Sequence, residues 1–255
     1  MLVGPDDKAP LIDHLVELRS RLIVAAGVLF VLFSLLFSLL FFGSFGNIIF
    51  DLLMLPLRQV VGPEFRMIYT GINQAFWTYF KMTWFVSLFI SSPVLLLQLW
   101  RFVAPGLYHN EKRAVLPFLV SAPMLFCLGG AFAYFVVLPV MFRFYLSFTS
   151  PTLEALPTIN EYLDLVTDYI FLCGAVFELP VVLLLLIRAG ITSTATLVRV
   201  RRYAIVAIFT AAAVIAPDPV SQILMAVPLL LLYEITILTG PVMERQRSVV
   251  EEQLS

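Results

Sequence analysis

Four carboxylates carry most of the chemistry this sequence offers. Glu178 lies in Phe177-Glu178-Leu179-Pro180, inside a run from Tyr169 to Ile187 with no other charge. An ionised group at that depth of an apolar helix costs about 3 kcal/mol on membrane-insertion scales, so it needs a reason. Either the carboxyl is neutral and hydrogen-bonded to Ser91 or Gln98 as glue between helices, or it is a site for a partner or a proton. Asp218 separates two uncharged stretches, Tyr203 to Pro217 and Pro219 to Tyr233, with Gln222 just beyond it. Glu17 stands in His14-Leu15-Val16-Glu17-Leu18-Arg19-Ser20-Arg21, where Leu11, Leu15, Leu18 and Leu22 follow helical spacing. That pattern predicts an amphipathic helix along a membrane surface before the chain turns inward. The plain alternative is a solvated face with a Glu17–Arg21 pair worth a few tenths of a kcal/mol. Glu111 sits in Pro105-Gly106-Leu107-Tyr108-His109-Asn110-Glu111-Lys112-Arg113, where its plain role is a favourable charge at a helix N-terminus.

Other chemistries lack their residues. Cys127 and Cys173 both fall in apolar runs and read as small buried hydrophobes. His14 and His109 stand apart, too few for a zinc site, so neither metal nor cofactor is expected. No HExxH, GxSxG or paired intramembrane Asp occurs, so the chain does not read as an enzyme. A net charge of -1 argues against nucleic acid as a partner.

The elements that must position these acids follow from composition. Of 255 residues, 61% are apolar and 13% charged, against about 25% charge in soluble domains. The chain therefore reads as one integral membrane domain. A helix rising 1.5 Å per residue needs about 20 apolar residues to cross a 30 Å hydrocarbon core. The gaps between charges place spans at Leu22 to Gly46, Gln74 or Lys81 to Trp100, Ala114 to Phe142, Tyr169 to Ile187, Tyr203 to Pro217, and Pro219 to about Thr239. The fold class is all-α, polytopic, with six transmembrane helices. The third span contains Pro117, Pro123 and Pro139 and is expected to kink. The fifth and sixth have uncharged cores of about 15 residues, or about 22 Å, which fits a short hairpin in a thinned bilayer. The loops from about Ser44 to Gln74 and Phe144 to Asp168 are expected to carry short interfacial helices.

Six spans put both termini on one side. That side holds twelve of the sixteen basic residues: Lys8, Arg19, Arg21, Arg101, Lys112, Arg113, Arg188, Arg199, Arg201, Arg202, Arg245 and Arg247. The other holds Arg58, Arg66, Lys81 and Arg143. The positive-inside rule then makes both termini cytoplasmic. The expected organisation is an amphipathic cytoplasmic segment over 1–21, a six-helix membrane region over 22–239, and a cytoplasmic tail over 240–255.

Several segments in order resemble one family. His14 to Leu22, Trp100-Arg101-Phe102-Val103-Ala104-Pro105-Gly106-Leu107-Tyr108, Glu111-Lys112-Arg113, Ala133-Tyr134-Phe135, Phe177-Glu178-Leu179-Pro180 and Ala216-Pro217-Asp218 through Gln222 are similar to TatC, the receptor subunit of the twin-arginine protein translocase. The resemblance implies a receptor and scaffold in the bacterial cytoplasmic (inner) membrane. It would bind Arg-Arg signal peptides of folded cargo and recruit small single-span Tat subunits of the TatA/TatB type for export driven by proton-motive force, as part of an oligomeric complex. It places Glu17 and Glu111 at the signal, with Arg19, Phe102, Pro105, Leu107 and Tyr108 around them. It places Phe76, Gln98, Glu178, Asp218 and Gln222 among the partner-subunit or intramembrane polar positions. Gln74 stands where many relatives carry an acid, so no charged role carries over there. A proton-coupled solute transporter using Glu178 and Asp218 is the rival reading, weakened by the lack of an inverted repeat.

Overall fold

The computed structural model describes residues 9–42, 45–62, 67–107, 112–148, 157–216 and 218–254. Nine α-helices and one π-helical turn account for most of them, and there is no strand among the described residues.

Helix α1 runs Ala9–Phe42 without interruption. The expected surface helix followed by a turn is therefore corrected: residues 9–21 are the first turns of α1 itself. No glycine or proline falls between Leu11 and Ala26 to break the run, and Pro10 sits in the first turn, where its missing N–H costs nothing. At 1.5 Å per residue α1 is about 50 Å long, which exceeds the hydrocarbon thickness and leaves its polar start outside.

Helix α2 (Phe45–Val61) occupies the first long connection, as expected for an interfacial helix, and ends at Gly62. Gly62 has φ +90°, and its N–H donates to the Arg58 carbonyl at 2.9 Å, which closes the helix in a conformation that favours glycine. Helix α3 (Gln74–Leu107) packs along α1. Phe33 and Phe37 of α1 meet Phe80 and Trp84 of α3 edge to face, with centroids 5.3 to 6.1 Å apart.

The third expected span is α4 (Lys112–Phe132), a π-helical turn Ala133–Val137, and α5 (Leu138–Leu146). Pro139 has no N–H to continue the regular ladder, and the widened turn lies immediately before it. Helix α6 (Ile159–Phe177) begins ten residues before the expected Tyr169, capped by the Thr158 hydroxyl, which accepts from the Glu161 N–H at 3.3 Å. Its charged first turns read as loop in the sequence. Asp164 in fact meets Lys81 of α3 at 2.8 Å. An isolated bridge between Ile68 and Thr158 ties the two outer connections together.

Glu178 is a one-residue break between α6 and α7 (Leu179–Arg188). Helix α7 ends at Arg188, two residues before Gly190 with φ +73°, and α8 (Thr194–Ile215) and α9 (Pro219–Leu254) form an antiparallel hairpin. The expected short sixth helix is corrected: α9 runs on past Glu234 for 36 residues in all, long enough to cross a membrane by itself. Among the described residues, five stretches are long and apolar enough to cross a membrane: Val16–Leu40, Gln74–Phe102, Phe118–Leu146, Ile159–Arg188 and Pro219–Arg245. Helix α8 carries Arg199, Arg201 and Arg202 in its first half, and its remaining uncharged part spans about 20 Å.

The core is helix against helix. Gly129 of α4 lies so close to α6 that an added Cβ would stand 2.7 Å from the Cys173 carbonyl and 2.8 Å from the Phe177 ring. Outward, Phe30, Val31, Met124, Phe135, Val206 and Leu238 are all exposed. In water such a belt would be a liability; around a multi-pass membrane protein it is the lipid-facing surface.

Candidate functional site

The two groups of expected site residues occupy different places. At the start of α1, the Glu17 carboxylate faces Arg21 one turn on. Arg21 Nε and Nη2 lie 3.0 and 2.5 Å from Glu17 Oε1, and Arg21 Nη1 reaches towards Gln98 Oε1 of α3 at 3.5 Å, a long contact. Both members of the ion pair are partly accessible, with side chains 24% (Arg21) and 37% (Glu17) exposed. Arg19 points outward on the same turns, and Phe102 is half-buried near the end of α3. Pro105 and Leu107 fall in the last turn of α3, while Tyr108 and Glu111 lie outside the described residues. The structure thus brings Glu17 and Gln98 together through Arg21, a link no spacing in the sequence could reveal because Arg21 and Gln98 are 77 residues apart.

Glu178 is 7% exposed, and neither carboxyl oxygen has a hydrogen-bond partner among the described residues. The expected glue to Ser91 or Gln98 is corrected. Ser91 donates to the Leu88 carbonyl of its own helix at 3.1 Å, and Gln98 faces Arg21. Helical back-bonding satisfies the serine locally, so it has no need of the acid. The donor that faces Glu178 is the Trp100 indole N–H. It is also buried, and it closes no hydrogen bond. An unsatisfied buried polar group costs about 1–3 kcal/mol, and more when charged. Trp100 opens one of the segments that resemble the family, but nothing in the spacing of the sequence shows that it faces Glu178.

Asp218 is equally buried at 4% but fully engaged. Its Oδ1 accepts from the Ser221 N–H at 2.7 Å, which makes it the N-cap of α9 with Pro219 in the first turn. Its Oδ2 accepts from the Tyr145 hydroxyl of α5 at 3.3 Å. Those bonds remove one of the two free acids that a proton-coupled transporter would need. Gln222 Nε2 donates to the Phe209 carbonyl at 3.1 Å, pinning α9 to α8. Phe76, 47% exposed, stands beside Trp77 and Phe80 with ring centroids 5.7 and 6.4 Å away.

At the other end of the hairpin, Glu244 Oε1 accepts the Thr194 N–H at 2.6 Å, satisfying the first turn of α8. Cys127 and Cys173 are both free; Cys173 is buried as expected, whereas Cys127 is exposed, which corrects its reading as a buried residue. No cluster able to hold a metal occurs among the described residues.

Comparison with known proteins gives one consistent answer. Residues 13–228 match the family model described as TatC, Sec-independent protein translocase protein. The chain is 48% identical over 252 residues to the Sec-independent protein translocase protein TatC of Magnetococcus marinus, covering 98% of this chain and 91% of that one. It is 39% identical over 231 residues to the protein of the same name in Escherichia coli strain K12, covering 90% and 87%. A crystal structure titled as the twin arginine translocase receptor TatC in DDM superposes with a TM-score of 0.75 at 38% identity, covering 89% of this chain and 99% of that one.

Proposed function

The chain belongs to the TatC family, multi-pass membrane components of the Sec-independent twin-arginine translocase, and from that premise we propose that it is the subunit that recognises the signal. In this reading the Arg-Arg segment of a folded precursor's signal peptide docks at Glu17 and Glu111, with Arg19, Phe102, Pro105, Leu107 and Tyr108 around them. In the same reading the chain crosses the bacterial inner membrane six times, with α8 as the short crossing and both termini in the cytoplasm, which the twelve-to-four split of basic residues supports.

The observation that carries this reading is the Glu17 carboxylate at the accessible start of α1, already contacted by a guanidinium. A carboxylate that accepts one arginine fork has the chemistry to accept another, whereas lysine offers only a point charge. Magnitude limits the role of the arginines. Charge-assisted hydrogen bonds contribute about 1.5–3 kcal/mol and exposed pairs often below 1, while micromolar binding needs about 8. The arginines select, and the apolar part of the signal supplies the remainder against lipid and the exposed belt.

Recruitment of small single-span subunits of the TatA/TatB type falls to the membrane face around Glu178, where a carboxyl without a partner gains most from a polar group on an arriving helix. Phe76 offers exposed aromatic surface. Gln98, Asp218 and Gln222 act indirectly, by holding α1, α9 and α8 in place. Helix α8, with an uncharged part of only about 20 Å, would thin the bilayer locally and lower the cost of passing a folded cargo under proton-motive force.

Charge reversal tests the recognition half. Glu17→Lys and Glu111→Lys are each expected to weaken twin-arginine peptide binding to the purified chain at least tenfold, and unchanged affinity in both rules out the assignment. Crosslinking from positions 178 and 222 in native membranes tests the recruitment half. Capture of a small single-span protein is expected, and its absence counts against the reading.

A further inference from the structure

The Glu17 carboxylate is not empty in the resting protein, and the manner of its occupation has a consequence for selectivity. Arg21 places Nε and Nη2 on the same oxygen, Oε1, at 3.0 and 2.5 Å. A guanidinium and a carboxylate pair best as two parallel bonds to two oxygens. Arg21 does not take that geometry: both nitrogens lie on Oε1, and Oε2 is outside its grip. The pair is partly solvated, so it is weak enough to be displaced. Gln98 Oε1, 3.5 Å from Arg21 Nη1, offers the released guanidinium an acceptor on α3.

We infer that Arg21 is an intramolecular competitor for the signal-binding carboxylate, a specificity-determining residue that makes the site demand an arginine. An incoming guanidinium engages both oxygens of Glu17 and displaces the one-oxygen clamp, while Arg21 swings to Gln98. An incoming ammonium brings a single point of charge and has no geometric advantage over the two N–H donors already present. Arg21 thus lowers affinity for every cationic signal, and lowers it more for lysine than for arginine. The inference rests on Glu17 receiving the signal.

The test is a titration of the purified full chain in lipid nanodiscs with a labelled signal peptide carrying Arg-Arg or Lys-Lys. Arg21→Lys keeps the local charge but removes the fork. It is expected to tighten Arg-Arg binding about two- to fivefold, the factor an exposed pair supplies, and to tighten Lys-Lys binding more, narrowing the ratio between the peptides. Arg21→Gln is expected to act in the same direction. In a Glu17→Gln background both gains should vanish, because there is no carboxylate left to compete for. Unchanged or weaker Arg-Arg binding in Arg21→Lys overturns the competitor role, as does a gain that persists undiminished with Glu17→Gln. If Glu17→Gln alone leaves Arg-Arg affinity unchanged, the underlying assignment of Glu17 is what fails.

Discussion

Asp218 and Glu178 are two carboxylates of similar burial in one membrane protein, and their surroundings differ in kind. Asp218 caps α9 through Ser221 and accepts from Tyr145. Among the described residues, Glu178 faces an indole N–H that closes no bond. A buried acid with its acceptor sites filled stabilises the fold, whereas one left open is a standing cost that a binding partner can relieve. The sequence marks Glu178 as the deepest acid and Asp218 as the break between two short spans. Their partners separate them.

The contrast predicts substitutions with opposite signs. The largest effect is expected beneath Glu178, where Gly129→Ala forces a methyl against the Cys173 carbonyl and the Phe177 ring. It should lower stability by about 1–3 kcal/mol, read as an earlier thermal midpoint in detergent. Tolerance of alanine there would show that the ground under Glu178 is softer than its geometry implies. Asp218→Ala comes next, losing the α9 cap at a cost of about 0.5–2 kcal/mol, with Asp218→Asn recovering most of it. Glu178→Leu should raise the thermal midpoint, by about 1 kcal/mol in stability, because it removes two unsatisfied buried oxygens, while crosslinking to a single-span partner declines. If Glu178→Leu instead destabilises as Asp218→Ala does, the distinction between the two acids collapses. The smallest change belongs to Lys81→Met, which breaks the accessible pair with Asp164, 43% and 52% exposed, and should stay below about 1 kcal/mol.

Uncharged runs located α3 and the apolar lengths of α1 and α9, because the hydrocarbon core imposes a length that composition reveals directly. The start of α6 was not legible. Glu161, Asp164 and Asp168 read as loop when each turn is judged alone, and only the cross-helix pairing of Asp164 with Lys81 explains one of those charges on a helix. Pro139 announced a break in regular helix without saying that it would take the form of a π-helical turn. At the candidate site, the contacts that the expected residues make were not legible. The Tyr145–Asp218 and Arg21–Gln98 contacts span 73 and 77 residues of chain, and helical period fixes which face a side chain takes but not which helix lies opposite. Glu17–Arg21, a local i, i+4 pair, was the exception and was readable from spacing alone.

The central claim is that this chain recognises the paired arginines of a signal peptide through its own carboxylates. The most direct measurement is the affinity of the purified wild-type chain for an Arg-Arg signal peptide against the same peptide with Lys-Lys, at fixed ionic strength. Tighter binding of the Arg-Arg form is predicted, with the preference reduced by Glu17→Gln; equal affinity for the two peptides would contradict the account.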